Sequence, residues 1–309
     1  MKKYMAILAT LFLLLSALSG CIETTQETNK IGILTTIIPQ SELIEKIGGD
    51  HIDLTIMVPA GESPHSYEPT PEQLIKVAQA EAYFTVGSGV EFEVAQMDTI
   101  LEQNLDLQVF DCSENITVLA FDQHHGAETH HDEEEDHEEE EDHDHGGTDP
   151  HIWTSPTNYM IMAEAIKNGL IELDPANQTD YQENYNTLIT NLTEMHNSIQ
   201  SMLEPYENRS FMTYHPAWGY FGDTYHLTQI AIEEDGKQPG PAGISSIISQ
   251  AGQLNITTIF VSPQFDTSSA ETIAAEINGT VVFANPLTDD YQATITNLAN
   301  SIVQGFETP

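Results

Sequence analysis

One segment decides the architecture of this chain, Gln178–Leu203, with the sequence QTDYQENYNTLITNLTEMHNSIQSML. Its apolar side chains recur at spacings of three and four residues, which places them along one face of an α-helix. They are Tyr181, Tyr185, Leu188, Leu192, Met195, Ile199 and Met202. At roughly 26 residues the helix is about 39 Å long, longer than most connections within one lobe. We therefore expect it to join two lobes.

Short apolar runs alternate with helical patterns on both sides of this segment. The predicted strands are 31–36, 52–58, 82–86, 211–214, 227–232, 258–261 and 280–283. The predicted helices besides 178–203 are 41–47, one that begins at Thr70, 156–173, 244–254 and 270–277. This alternation indicates parallel sheets covered by helices, and a length of 309 residues suits two such units. We predict an α/β fold with an N-terminal lobe at 31–176, a linking helix at 177–204 and a C-terminal lobe at 205–309.

The N-terminus has the features of a targeting segment. Lys2 and Lys3 precede an apolar run, 5–18, that is too short to span a membrane, which needs about 20 residues. The run ends in Leu-Ser-Gly-Cys21, which resembles the cleavage site of bacterial and archaeal lipoproteins. We predict a signal peptide at 1–20, a lipid on Cys21 and a polar tether at 21–30. The mature protein is then extracytoplasmic, lipid-anchored to the outer face of the cell membrane or periplasmic.

Acidic residues dominate the charge of the chain. Its 49 Asp and Glu against 8 Lys and Arg give a formal net charge of −41, a field that repels nucleic acid and favours cations. The excess extends over the whole sequence, and a strongly acidic surface also suits salty surroundings. Cys112 is the only cysteine besides Cys21, so we expect no disulfide.

Residues 122–149 break the alternating pattern. The segment is rich in acids and has no apolar residue larger than Ala127, so it cannot fold by burial and is predicted to be a disordered loop. Its histidines are His124, His125, His130, His131, His137, His143 and His145. A segment that mixes imidazole with carboxylate is able to capture metal weakly. The alternative role is a solvated charge run, but acidic residues alone would form one, so the histidines favour metal capture.

Three other histidines stand in loops, two of them at the ends of predicted strands and one at the end of the acidic segment. His65 lies in a Pro- and Gly-rich loop after the strand ending at Val58, His151 follows the acidic segment, and His215 follows the strand ending at Tyr214. In parallel α/β sheets ligands bind outside the carboxyl ends of strands, and clefts between lobes are preferred pockets. A lone histidine is more often structural than a ligand, but three in matching loops favour one metal site.

Four motifs around these histidines resemble a known family, the metal-binding solute receptors of ABC transporters for zinc and manganese. The motifs are HSYEPTP at 65–71, DPHIWTSP at 149–156, YHPAWGYF at 214–221 and FVSPQF at 260–265. The resemblance extends from about Ile31 to Phe306. It implies two α/β lobes joined by one long rigid helix, with a metal in the interlobe cleft. It also implies delivery of the ion to a membrane permease with its ATPase.

The resemblance implies His65, His151 and His215 as metal ligands. The family's fourth ligand is commonly an aspartate before proline in the segment that reads FANPL at 283–287, where this chain has Asn285. Asp289, Asp290, a loop carboxylate and water are the other candidates. Manganese-type members tend to have glutamate in place of His215, and zinc-type members often carry a His- and acid-rich insertion before the second motif. Both features favour Zn2+ as the transported ligand.

Several alternatives stay open from the sequence. They are manganese or another divalent metal in the same role, a surface metal-buffering adhesin, and a catalytic zinc site of three histidines and a water. The chain lacks a His-Glu-x-x-His stretch, a Gly-x-Ser-x-Gly elbow and a phosphate loop, so we do not expect an enzyme. We expect the site histidines to be oriented by Glu62, Tyr67, Glu68, Trp153 and Trp218, with simple packing of the loops as the alternative role for these five residues. We expect His51, His196 and His226 to be structural.

Overall fold

A computed structural model describes residues 30–120, 147–233, 236–265 and 267–308. These residues form two four-stranded parallel sheets with helices packed on them, which confirms the predicted fold class. The predicted signal peptide, most of the tether, Cys21 and the seven histidines of the acidic segment lie outside the described residues.

The first sheet and its helices form the N-terminal lobe. Its elements are β1 (Ile31–Thr35), α1 (Ile38–Gly48), β2 (Ile52–Ile56), α2 (Pro71–Val77), β3 (Ala82–Thr85), α3 (Glu91–Gln103), β4 (Gln108–Asp111) and α4 (Pro156–Leu173). The strand order is β2-β1-β3-β4. The predicted helix start at Thr70 is confirmed, because its Oγ1 accepts from the Gln73 amide at 3.3 Å while Gln73 Oε1 accepts from the Thr70 amide at 2.9 Å.

The linking helix, α5 (Gln178–Leu203), has the predicted bounds and a length of 26 residues. Its buried face consists of Tyr181, Leu188, Leu192, Met195, Ile199 and Leu203. Tyr185 and Met202, also in the predicted stripe, are half-buried at its margin. The helix packs against α1 and α4, so most of its stabilisation comes from burial of this one face.

The second sheet and its helices form the C-terminal lobe. Its elements are β5 (Ser210–Thr213), α6 (Gly219–Thr224), β6 (Thr228–Ala231), α7 (Pro241–Leu254), β7 (Thr258–Val261), α8 (Ser268–Glu276), β8 (Thr280–Phe283) and α9 (Tyr291–Glu307). The strand order β6-β5-β7-β8 repeats the arrangement of the first sheet. Both lobes therefore present the carboxyl ends of their first and third strands at the middle of the sheet.

The last helix, α9, returns from the C-terminal lobe to the linking helix and the N-terminal lobe. The Tyr291 ring stacks on Tyr159 with centroids 3.6 Å apart, and the Tyr291 amide donates to Glu42 Oε2 at 2.9 Å. One apolar core joins residues of the first sheet to Phe211 and Phe221 of the second lobe. The lobes are thus held together by a shared core as well as by α5, which limits their relative motion.

The predicted disordered range, 122–149, is wrong at its C-terminal end. Thr148 forms an antiparallel bridge with Ala120, the Asp149 amide donates to the Leu119 carbonyl at 2.9 Å, and Asp149 is buried. Asp149 is ordered because its carboxylate is used inside the fold. Within the described parts of the chain, none of the helices combines the length and apolar character needed to cross a bilayer.

Candidate metal centre

The three predicted histidines come from three separate connections. His65 lies in the turns between β2 and α2, His151 immediately precedes a 3-10 turn that leads into α4, and His215 lies two residues after the end of β5. The structure brings all three imidazoles together, two of them from strand ends and His151 from the end of the acidic segment.

The geometry of this cluster fits a metal ion. One ring nitrogen from each of His65, His151 and His215 lies within 4.8 Å of the other two. The Nε2 atoms of His151 and His215 are 3.2 Å apart. Two nitrogen ligands at 2.0–2.1 Å from a tetrahedral zinc would be separated by about 3.3 to 3.4 Å. The separation of the two Nε2 atoms is therefore close to the separation that zinc coordination requires.

Each of the three imidazoles pairs its Nδ1 with a carboxylate. The distance is 2.7 Å from His151 to Asp149 and 3.1 Å from His215 to Glu233. It is 2.9 Å from His65 to Glu91. A proton held on Nδ1 by such an acceptor leaves the Nε2 lone pair available, and it also fixes the orientation of the ring.

The carboxylate partners are the part of the site that sequence reasoning missed. Asp149 was noted only as part of a motif, Glu91 lies in the first turn of α3, and Glu233 follows β6. The one indication in the sequence was that Glu233 comes just after a predicted strand, at the same edge as His215. Asp149 is only two residues from His151, whereas the pairing of Glu91 with His65 and of Glu233 with His215 depends on contacts between segments distant in the chain.

The residues expected around the imidazoles have other roles. Glu62 and Glu68 are exposed, and the Tyr67 hydroxyl donates to Gln73 Oε1 at 2.9 Å. Trp153 lies beside His151, with ring centroids 5.3 Å apart, and its Nε1 donates to the Pro286 carbonyl at 2.8 Å. Trp218 is buried and packs on Phe221. Of the five, Trp153 contributes to the cluster by packing against a ring and joining it to the C-terminal lobe.

Burial favours neutral imidazole at the centre. The side chain of His215 is 10% exposed, and desolvation lowers its pKa although the hydrogen bond to Glu233 opposes the change. Burial raises the pKa of the Glu91 carboxyl, but the hydrogen bond with His65 and its charge outweigh this effect and leave that pKa below the ordinary value. Burial therefore disfavours the charged form of His215, and a neutral ring is the form that coordinates a metal.

The cavity between the histidines has the size of an ion. Its volume is about 20 Å³, room for roughly one water-sized particle. Its walls are Ser63, Pro64, His65, His151, Trp153, His215, Ser262, Gln264, Phe265, Pro286 and Leu287. A space of this size suits a single ion.

The candidates for a fourth ligand are engaged elsewhere. Asn285 Oδ1 accepts from Gln264 Nε2 at 2.9 Å and from the Leu287 amide at 3.0 Å, so it closes the turn around Pro286. Asp290 Oδ1 accepts from the Ala293 amide at 3.2 Å and caps α9. Among the described Asp, Glu, His and Cys residues, the ligand group consists of the three histidines, and Asp289 is exposed outside it.

The other described histidines lie away from the centre. His51 Nε2 pairs with Asp180 Oδ2 at 2.9 Å, at the start of α5. His196 Nδ1 lies 3.1 Å from the Tyr225 hydroxyl. His226 has a positive φ of 55° in the turn before β6. These contacts agree with structural roles.

The family model for ZnuA, the periplasmic component A of a zinc-uptake complex, matches residues 33–305. The chain belongs to the ZnuA family. Among solved structures, a crystal structure of ZnuA has a TM-score of 0.79 and 33% identity, and the match covers 89% of this chain and 99% of that one. ZnuA-family membership makes the protein the substrate-binding component of a metal ABC transporter, extracytoplasmic and anchored to the membrane.

Curated relatives of this ZnuA-family chain are named for different metals. A manganese-binding lipoprotein, MntA of Halalkalibacterium halodurans, is 26% identical over 81% of this chain and 77% of its own. An iron ABC transporter substrate-binding lipoprotein, MtsA of Streptococcus pyogenes serotype M1, is 27% identical over 94% of this chain and 91% of its own. The family therefore establishes a metal receptor and leaves the choice of metal to the site.

Proposed function

We propose that the protein is the high-affinity zinc-binding component of its ABC transporter and delivers Zn2+ to a membrane permease and its ATPase. The observation that carries the proposal is the convergence of three imidazoles on one ion-sized cavity, each with a carboxylate on Nδ1. His65, His151 and His215 would be the ligands, each through Nε2. Zinc binds imidazole nitrogen readily and accepts four ligands in a tetrahedron.

The donor atoms support zinc over manganese. Manganese prefers carboxylate, carbonyl and water oxygens, whereas imidazole suits zinc, copper, iron and nickel. The described ligand group contains nitrogen donors from three histidines and no carboxylate oxygen. The manganese and iron named for relatives stay the alternative. Affinity alone would not exclude copper and nickel, so selection against them would come from the geometry of the site and from the availability of each metal.

Water is the proposed fourth ligand. The Asn285 and Asp290 side chains already accept hydrogen bonds from neighbouring groups, so neither is free to act as the fourth ligand. A water in this position would be exchangeable, which suits a protein that must give up its metal. The same ligand set occurs in zinc hydrolases, but the family is one of transport receptors, so we propose no catalytic role.

The regions outside the described residues have proposed roles as well. Cys21 would carry the lipid that holds the protein at the membrane. The seven histidines of the acidic segment, which begins at Asp122, would capture metal weakly near the cleft. Metal buffering at the cell surface, or adhesion, would accompany uptake rather than replace it.

The metal can be identified by native mass spectrometry and elemental analysis of the full chain purified without added metal. We expect one tightly held zinc per chain, and zinc affinity well above manganese affinity in competition with a chelator. Retention of manganese in preference to zinc would contradict the proposal.

Alanine substitutions test the ligand set. Replacing His65, His151 or His215 by alanine should weaken zinc binding at least about tenfold, since a direct ligand is lost. His51→Ala is the matched control, because His51 also pairs with a carboxylate but lies near α5. Equal affinities for the ligand variants and the control would rule out this ligand set.

A further inference from the structure

We propose that Glu91 is a positioning residue for His65, and that the arm of the site formed by these two residues is where metal is exchanged. The inference rests on the proposed function, since it assigns the order in which the ligands of that site dissociate from the metal. Glu91 lies outside the four motifs that carry the family resemblance.

The first turn of α3 attaches to His65 and to the sheet through three consecutive residues. Glu91 Oε2 lies 2.9 Å from His65 Nδ1. The Phe92 amide donates to the Pro64 carbonyl at 3.0 Å, which fixes the backbone immediately before His65. The third residue, Glu93, faces inward. One turn of helix therefore holds both the ring and the backbone of this ligand.

Glu93 anchors the turn to the end of the first sheet. Its Oε1 accepts from the Val86 amide at 2.6 Å and from the Thr36 hydroxyl, and its Oε2 accepts from the Gly87 amide at 2.9 Å. Glu93 is buried, so these hydrogen bonds are needed to satisfy it. Phe92 is also buried. The contacts of Phe92 and Glu93 therefore fix the backbone of this turn, and the fixed backbone places the Glu91 side chain opposite His65.

The His65 arm differs from the other two in its exposure to water. His65 and Glu91 have side chains 28% and 53% exposed. The other two arms are buried. The exposed fraction of the side chain is 4% for His151 and 8% for Asp149, and it is 10% for His215 and 5% for Glu233. Loss of a ligand from zinc requires another donor to take its place, and water or an incoming ligand reaches the exposed arm first. His65 is therefore the ligand that leaves first.

Glu91 restrains that departure. With its Nδ1 held, the His65 ring keeps Nε2 directed at the cavity, and an accepting carboxylate increases the basicity of the ring. Without Glu91 the ring is free to turn toward solvent, while the two buried arms stay in place. Loss of Glu91 should therefore act mainly on the rate of metal release.

The experiment measures zinc release from the full chain after addition of excess chelator. In Glu91→Ala the release rate should rise about tenfold, the lower end of the range for partners of metal-binding histidines. Glu91→Gln should change the rate less, because its amide oxygen still accepts from Nδ1. Glu102→Ala removes an exposed acid from the same helix and should release zinc at the wild-type rate. Thermal unfolding without metal should be the same for all four proteins, which excludes a general structural effect.

A double-mutant cycle decides whether Glu91 acts through His65. In a His65→Ala background, Glu91→Ala should change zinc release no further, whereas in a His215→Ala background it should keep its effect. Equal release by wild type and Glu91→Ala, or an undiminished effect without His65, would overturn the inference and leave the proposed function intact. Failure of the wild-type chain to bind zinc would overturn both.

Discussion

The Nε2 atoms of His151 and His215 lie 3.2 Å apart, although the two residues belong to different lobes. His151 is held by Asp149 at the end of the acidic segment, and His215 follows a strand of the second sheet. The spacing suits two nitrogen ligands of one tetrahedral zinc. The histidine cluster is therefore a property of the interface between the lobes, and the shared core that joins the lobes also holds the cluster together.

Zinc affinity should depend on pH through the imidazoles. Coordination needs neutral rings, so protons compete with metal as the pH falls toward an imidazole pKa of about 6.5. Burial lowers the pKa of His215, which keeps this ring neutral to lower pH than a free histidine. Affinity should stay level from pH 8 to 7 and fall below about pH 6.5. Titrations in competition with a chelator test this, and a flat profile down to pH 5 would indicate carboxylate ligation.

Asn285→Asp should leave the ratio of zinc to manganese affinity unchanged. The side chain of Asn285 closes the turn around Pro286, and its oxygen already accepts from Gln264 and Leu287. A carboxylate at this position would therefore stay in the turn and away from the metal. Competition titrations of both proteins with the two metals provide the measurement. A selective gain in manganese affinity would place residue 285 on the metal.

Gly219→Ala should weaken zinc binding about tenfold by displacing the partner of His151. A Cβ at residue 219 would lie 2.7 Å from Asp149 Oδ2, closer than contacts between these atom types allow. Gly252→Ala is a matched control, since a Cβ there meets no described atom within 4 Å. Calorimetric zinc titration of the two variants should separate them. Equal affinities would show that the Asp149 carboxylate moves aside without cost.

Two tyrosines that stack across the interface should respond differently to loss of the hydroxyl. Tyr159 donates to the Pro39 carbonyl at 2.7 Å, so Tyr159→Phe should lower the free energy of unfolding by about 1–3 kcal/mol. The Tyr291 hydroxyl is buried without a hydrogen-bond partner among the described residues. Tyr291→Phe should leave that free energy unchanged or raise it. Denaturant unfolding of the two variants tests the difference, and a similar loss in both would mean that the Tyr291 hydroxyl is satisfied in solution.

The sequence determined the parts of the fold that depend on local patterns. The bounds of α5 followed from a helical stripe, and the start of α2 followed from the capping residues around Thr70. The alternation of strands and helices predicted two parallel sheets, and the positions of His65 and His215 at strand ends, with His151 in a loop, predicted that the three side chains face one cleft. These features are visible in one sequence because periodicity, capping and strand ends are properties of residues close together in the chain.

Only the tertiary structure decided which residues complete the site. The pairing of Glu91 with His65, or of Glu233 with His215, joins segments that no periodicity relates. Neither α3 nor α9 was predicted, and the return of α9 to Tyr159 depends on which apolar surfaces the two lobes leave to be covered. The turn that engages Asn285 is set by Gln264 on a neighbouring loop. Such contacts depend on how distant segments pack. Among the many carboxylates of an acidic chain, packing selects Glu91 and Glu233 as the partners of His65 and His215.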